Sequence, residues 1–369
     1  MLVVLAGSGT VGAEIVRQLA LPAFQGKLTL NTLANSKCLV SSRDASPLAL
    51  LDALTADAHP QAITKTPTDM NSLIQHTLRT KTESNSKTLF IDATTSSQLA
   101  EHYPRLLEHG VHIATPNKKA FSGPQTLYDS IKLQNDSRGL LYHESTVGAG
   151  LPILTTLADL VSTGDTVTHV SGVFSGTLSY IFNNFSPAVP SSNQQPRFSE
   201  VVSTAKDLGY TEPNPAHDLD GSDVARKLTI LARGLGVQLP DGFLSVPTES
   251  LVPHELQNVD DIPQFMKDLP NHDAAIAARA NANPDKVLRY VGSIDLTNKA
   301  SPSIKCSLQS YPRDHPFAAS LSGSDNIISF QSERYNSTPL IVQGPGAGAA
   351  VTAMGVVADA LRILREAKQ

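Results

Sequence analysis

The apolar run Leu2 to Ala6 stops at Gly7, and the residues after it place Ile15, Val16 and Leu19 at helical spacing. The chain therefore opens on a strand, a glycine turn and a helix. Further strand-like runs fall at Lys27 to Leu33, Thr88 to Asp92, Val111 to Ala114 and Gly139 to His143, with helix-like segments at Ser97 to Glu108 and Phe121 to Leu133. Alternation of this kind predicts an α/β domain with a parallel sheet and helices on both faces. After about Gly150 the pattern changes. Leu151 to Leu160 and Thr177 to Phe185 have helical spacing, Val167 to Val173 reads as a strand, and Ser186 to Phe198, with Pro187, Pro190 and Pro196, reads as an exposed loop. Strand-like runs return at Val287 to Leu296, Pro302 to Leu308, Asn326 to Gln331 and Pro339 to Val342, so the second half is expected to be α+β. No internal repeat is visible.

The length of 369 residues gives room for two or three compact units. A hydrophobic share of 40 %, raised by 23 glycines, lies in the globular range and argues against disorder. With 17 % charged residues and a net charge of −5, no broad basic surface is available to neutralise a nucleic-acid backbone. The two cysteines, Cys38 and Cys306, exclude a disulfide framework and a cysteine-rich zinc site. No stretch reaches about 20 uninterrupted apolar residues, and the first residues lack the basic flank of a secretory signal. The expectation is a soluble cytoplasmic enzyme with neither nucleic acid nor membrane as partner.

The turn after the first strand reads Gly7-Ser8-Gly9-Thr10-Val11-Gly12, the spacing of a dinucleotide fingerprint. The first glycine makes the turn, the second lets backbone approach a pyrophosphate, and the third lets helix and strand pack closely. The end of the second strand carries no acid to bind a ribose 2′-hydroxyl. Downstream, Ser41-Ser42-Arg43 offers hydroxyls and a guanidinium to a 2′-phosphate, so NADP(H) is tolerated beside NAD(H), although Arg43 reads equally well as a solvated surface residue.

In the second half, Val224, Leu228, Leu231 and Leu235 form one apolar stripe, and Asp223 and Lys227 stand four apart beside it, near a helix start that Asp220 could cap. Spacing alone more often marks a surface ion pair. Glu212, Asp218 and Asp220 cluster with that pair after a glycine-proline loop, which suits gripping an ammonium group and supplying a proton. Thr115-Pro116-Asn117-Lys118-Lys119 follows a strand, at the edge where open α/β sheets bind ligands. The small residues after Glu144 leave carbonyls that, with its carboxylate, could surround a hard monovalent cation, or could form a plain hinge.

Taken together, Ala114 to Lys119, Glu144 to Pro152, Ser175 to Ile181, Gly209 to Lys227 and Gly344 to Ala350 resemble homoserine dehydrogenase, most of all the fungal single-activity form. The resemblance spans nearly the whole chain. It implies reduction of L-aspartate 4-semialdehyde to L-homoserine with NADPH or NADH, on the route to threonine, methionine and isoleucine. It implies Lys227 as proton donor, Lys118 as second essential lysine, and Asp223 as the group positioning substrate and Lys227. Glu212 and Asp218 would hold the substrate's amino end. Gly7, Ser8, Gly9, Thr10, Val11, Gly12, Arg43, Thr94, Lys118 and Gly348 would bind the cofactor. Glu144, with the carbonyls of Val147, Ala149 and Leu151, would bind sodium.

The expected organisation is a Rossmann dinucleotide-binding domain (1–141 and 344–369), a dimerisation region (142–152 and 287–343) and a catalytic, substrate-binding region (153–286), in a homodimer. The amphipathic tail Val351 to Leu364 should pack on the first domain. Asp220 stands where relatives often have Asn, and the length leaves no room for an aspartokinase or C-terminal regulatory domain. Two rivals are a semialdehyde dehydrogenase working through a cysteine thioester and a non-catalytic NADP(H)-sensing protein.

Overall fold

In the computed structural model, which describes residues 1–56, 59–84, 86–135, 138–189, 196–257 and 259–367, the first apolar run is the strand β1 (Leu2–Ala6). It is followed in chain order by β2 (Thr29–Ala34), β3 (Cys38–Ser41), β4 (Thr64–Pro67), β5 (Thr88–Asp92), β6 (His112–Ala114) and β7 (Leu141–Tyr142). These form one sheet in the order β4-β3-β2-β1-β5-β6-β7. Strands β2, β1, β5, β6 and β7 are parallel, as expected for strands joined by helical crossovers.

The parallel sheet is extended at one edge by β3, which runs antiparallel to both β2 and β4. The cause is local. The Asn35 side chain accepts the N–H groups of Lys37 and Cys38, closing a turn too short for a helical crossover. Two expected helices are also divided. Pro104 lies in the first turn of a new helix, giving Ser97–Ala100 and Tyr103–Glu108, and Gly123-Pro124 separates Lys119–Ser122 from Gln125–Asn135.

The chain divides into two compact units, Met1–Gly150 with Gly348–Gln369, and Leu151–Ala347. In the first, the helix Thr10–Leu19 buries Ile15, Val16 and Leu19. The C-terminal helix Ala349–Glu366 adds Ala353, Val356, Val357, Ala360 and Ile363 to the same core. Full burial of each Val or Ile contributes about 1.5–3 kcal/mol, which makes this helix part of the unit that begins at Met1. Gln18 Nε2 also donates to the Ala350 carbonyl at 3.0 Å.

The second unit holds β8 (Val167–Val173), β9 (Lys286–Asp295), β10 (Ser303–Pro312), β11 (Asp325–Ser332) and β12 (Leu340–Pro345), antiparallel in the order β10-β9-β8-β11-β12. The helices Gly176–Phe185 and Ser222–Gly234 pack on it. The helix expected from Leu151 begins after Pro152, at Ile153–Ser162. Of the loop expected at Ser186 to Phe198, residues 190–195 lie outside the described residues, and Phe198 already starts the helix Phe198–Asp207. Among the described residues no helix is long and apolar enough to cross a membrane.

Candidate active site

The glycine turn of the first unit is built as its spacing requires. Gly7 has φ 98°, and its N–H donates to the Ala34 carbonyl at 2.8 Å. A Cβ on Gly7 would lie 2.8 Å from the Ala93 carbonyl oxygen, and one on Gly12 only 1.9 Å from the Gly7 carbonyl oxygen. A Cβ on Gly9 would meet nothing within 4 Å. The outer glycines thus serve the fold, while the middle one leaves open space before the helix Thr10–Leu19, which it caps. Ser8 and Val11 are half-buried and Thr10 is exposed around this helix start. Free first-turn amides and open space fit a dinucleotide pyrophosphate.

Beside this turn, at the end of β5, Asp92 is fully enclosed. Its carboxylate accepts the Thr94 N–H (2.8 Å), the Tyr103 hydroxyl (2.5 Å) and the Asn117 amide (3.0 Å). Thr115 donates to the Asp92 carbonyl at 2.7 Å. Burial pushes the Asp92 carboxyl up, and these hydrogen bonds draw it partly back. The network fixes Thr94 and the turn Pro116 to Lys118 at the carboxyl edge of the sheet, with Lys118 half-buried just before the helix Lys119–Ser122. No local pattern marks the convergence of Asp92, Tyr103 and Asn117, since it requires three separated segments to meet.

Arg43 stands elsewhere. Ser41 pairs with Thr32 and the Ser42 N–H donates to the Asn31 carbonyl, so Arg43 lies toward the amino end of β2. The Ser42 hydroxyl is engaged by the N–H groups of Asp44 and Ala45. The carboxyl end of β2, bonded through Ala34 to Gly7, leads instead into Asn35-Ser36-Lys37, where the exposed Lys37 is the basic residue. The antiparallel return of β3 causes this exchange, and a linear reading in which the chain continues past the edge misses it.

Glu144, Val147 and Ala149 are buried, and Gly148 (φ 78°) and Ala149 (φ 55°) are successive left-handed residues. Ala149 is the one non-glycine with positive φ among the described residues, a strained conformation that aims its carbonyl away from the ordinary chain direction. The Glu144 N–H donates to Asp359 at 2.8 Å, and burial, then the Glu144 charge, pushes the Asp359 carboxyl up to about 7. Leu151 begins the second unit, and its carbonyl accepts the Ile153 N–H at 2.9 Å. No cluster of three or more His, Cys, Asp or Glu suited to a metal occurs among the described residues. One carboxylate with backbone carbonyls fits a hard monovalent cation better than a transition metal.

In the second unit, Asp223 and Lys227 share one face of the helix Ser222–Gly234, with the ammonium 2.7 Å from the carboxylate. Lys227 is 7 % exposed and also donates to the Phe174 carbonyl at 2.7 Å. Asp218 accepts the Thr177 hydroxyl (2.9 Å) and the Glu212 N–H (2.8 Å), which folds the loop Tyr210 to Asp218 against the helix Gly176–Phe185. Burial first, then the Glu212 and Asp223 charges, pushes the Asp218 carboxyl up. Glu212 is left exposed. The cap at the start of Ser222–Gly234 differs from expectation. Gly221 (φ 76°) is the capping residue, because a Cβ there would fall 2.0 Å from the Tyr290 hydroxyl, while Asp220 accepts the Ser222 N–H at 2.7 Å.

Neither thiol suits a nucleophile. Burial pushes Cys306 up to about 12, and Cys38 lies within β3.

Residues 152–361 match the homoserine dehydrogenase family, and residues 7–144 match the NAD-binding domain of homoserine dehydrogenase. The homoserine dehydrogenase of Emericella nidulans is 46 % identical over 97 % of this chain and 96 % of its own. That of Saccharomyces cerevisiae is 42 % identical over the same shares. A crystal structure of a Candida auris protein of unknown function, 41 % identical, has a TM-score of 0.87 and covers 99 % of this chain and 98 % of its own. A hyperthermophilic archaeal homoserine dehydrogenase in complex with NADPH, 19 % identical, shares the fold with a TM-score of 0.70 over 99 % of this chain and 98 % of its own. The chain therefore belongs to the homoserine dehydrogenase family and is an NAD(P)-dependent oxidoreductase.

Proposed function

We propose that this enzyme interconverts L-aspartate 4-semialdehyde and L-homoserine with NADPH or NADH, supplying threonine, methionine and isoleucine biosynthesis in the cytoplasm. The observation that carries this reading is Lys227, an enclosed ammonium held between the Asp223 carboxylate and the Phe174 carbonyl. The nicotinamide supplies the hydride when bound. Its pyrophosphate would rest on Gly7 to Gly12, with Thr94, Lys118 and Gly348 as further contacts and Lys37, ahead of Arg43, facing a 2′-phosphate.

Glu212 attracts the substrate ammonium, and Asp218, whose carboxylate can accept more than the two bonds it makes, shapes the loop that carries Glu212. As the aldehyde oxygen gains negative charge, Lys227 donates a proton to it from Nζ, and Asp223 keeps the ammonium oriented. Lys118, in the turn after β6, would be the second essential lysine, beside the cofactor. A sodium ion held by Glu144 and the carbonyls of Val147 and Ala149, with that of Leu151, would stiffen the segment Glu144 to Pro152. Regions 142–152 and 287–343 would supply a homodimer interface.

The test is absorbance at the nicotinamide band with L-homoserine and NADP⁺ or NAD⁺ in turn. Homoserine-dependent growth of the reduced band is expected. Its absence with both cofactors would remove the reading, and the non-catalytic sensor would take its place.

A further inference from the structure

Lys227 meets oxygens of different character. The Asp223 carboxylate is 45 % exposed on its side chain. The Phe174 carbonyl is enclosed and lies just past the end of β8, whose last pair with β11 is Val173 opposite Ile327. Beyond that pair the backbone ladder no longer holds it. The side chain of the preceding β11 residue, Asn326, does so instead, with Nδ2 donating to the Phe174 oxygen at 2.9 Å. One backbone oxygen thus accepts a neutral amide and the Lys227 ammonium together.

Asn326 is fully buried, and its Oδ1 has no hydrogen-bond partner among the described residues. Turning the amide over would set oxygen against the Phe174 oxygen, so the orientation is dictated by that carbonyl. An orphaned buried acceptor costs free energy, which argues that the amide is kept there for what its nitrogen does. The chain also makes room for it. A Cβ on Gly346 would fall 1.9 Å from Asn326 Nδ2 and 2.0 Å from its Cγ. Gly346 belongs to the stretch Gly344 to Ala350, and here its lack of a side chain serves the amide.

We propose that Asn326 is a positioning residue for the proton donor: its buried amide fixes the Phe174 carbonyl on which the Lys227 ammonium rests, and Gly346 provides the space for that amide. This rests on the reading of Lys227 as proton donor. Without Asn326 the carbonyl at the strand-to-helix junction can tilt, and the ammonium loses the fixed oxygen that aims it at the reacting oxygen. Proton transfer then becomes the slow step.

The test uses the full chain with Asn326→Ala, Asn326→Leu and Gly346→Ala, each measured for kcat, homoserine KM, NADPH binding by fluorescence, and the solvent deuterium isotope effect on kcat. Asn326→Leu keeps most of the volume but carries no donor for Phe174, so it serves if the alanine variant does not fold. The expected result is a fall in kcat of roughly ten- to a hundredfold, an enlarged solvent isotope effect, KM within about threefold and unaltered NADPH binding. Gly346→Ala, whose methyl would overlap the same amide, should give the same signature. A kcat within about twofold of the parent, or a loss of kcat with an unchanged isotope effect, would overturn the proposal. Lys227→Ala run in parallel separates the two readings. If it retains turnover the proton-donor reading fails; if it alone loses turnover, only the role of Asn326 fails.

Discussion

Lys227 and Asp223 face each other across one helical turn with Nζ and Oδ2 2.7 Å apart, the lysine enclosed and the aspartate half in water. The cost of desolvating the enclosed ammonium offsets much of its attraction to the carboxylate, so the arrangement is better read through what the ammonium can do than through stability. Replacing Lys227 by Ala should lower kcat by about 10²–10⁴-fold with NADPH binding retained. Asp223→Asn, which keeps the shape but removes the orienting charge, should cost roughly tenfold. Steady-state kinetics with a fluorescence titration checks both, and near-parental turnover of Lys227→Ala would end the assignment.

The three glycines after β1 should separate into two classes. Gly9→Ala meets open space in the protein alone, so its melting temperature should match the parent while cofactor affinity falls at least about tenfold. Gly12→Ala drives a methyl against the Gly7 carbonyl and should lower the melting temperature as well. Thermal melts with and without NADPH distinguish them, and equal behaviour of the two variants would contradict this division.

The 2′-phosphate preference should follow Lys37 more than Arg43. Lys37 lies in the turn that continues from Ala34, the residue bonded to Gly7, whereas β3 carries Arg43 toward the other end of β2. Lys37→Glu should weaken NADPH relative to NADH by about tenfold, since a solvent-exposed anion contact is replaced by repulsion. Arg43→Ala should leave the NADPH/NADH ratio of binding constants nearly unaltered. The reverse ranking would return the role to Arg43.

Acid should destabilise the first unit partly through His112. Burial, then the Lys81 and Lys87 charges, pushes this imidazole down to about 4, and its Nδ1 accepts the Leu140 N–H at 3.1 Å. The folded form therefore binds its proton later than the unfolded form, whose pKa is the ordinary 6.5. Stability is fully present above about 6.5 and declines as pH falls toward about 4, by about 2–3 kcal/mol from this group. His112→Asn, which keeps an acceptor for Leu140 but does not titrate, should flatten that part of the profile. Denaturant melts across pH 4–7 provide the measurement, and an unaltered slope would show that other groups carry it.

The glycine turn was legible because each of its residues acts on neighbours within a few positions, and strand, turn and helix follow from local period and backbone freedom. The same holds for Asp223 and Lys227, which one helical turn brings together, and for Lys118 at the end of β6. Where a residue's position depends on which strand lies beside it, the linear pattern does not record it. Arg43 reads as a neighbour of the second strand's far end until the Asn35 turn reverses the chain.

Local spacing and motif order specify the α/β class of the first half, the glycine turn, the ion-paired helix face and the family. Those properties rest on short-range spacing and on residue chemistry carried in order along the chain. Folded packing alone sets the hold of Asp92, Tyr103 and Asn117 on the Lys118 turn, the position of Lys37 rather than Arg43 after the carboxyl end of β2, and the sharing of the Phe174 carbonyl by Asn326 and Lys227. Each of these is a hydrogen bond or a register between segments far apart in sequence, and no local periodicity records which buried donor will find which acceptor once the sheets have closed.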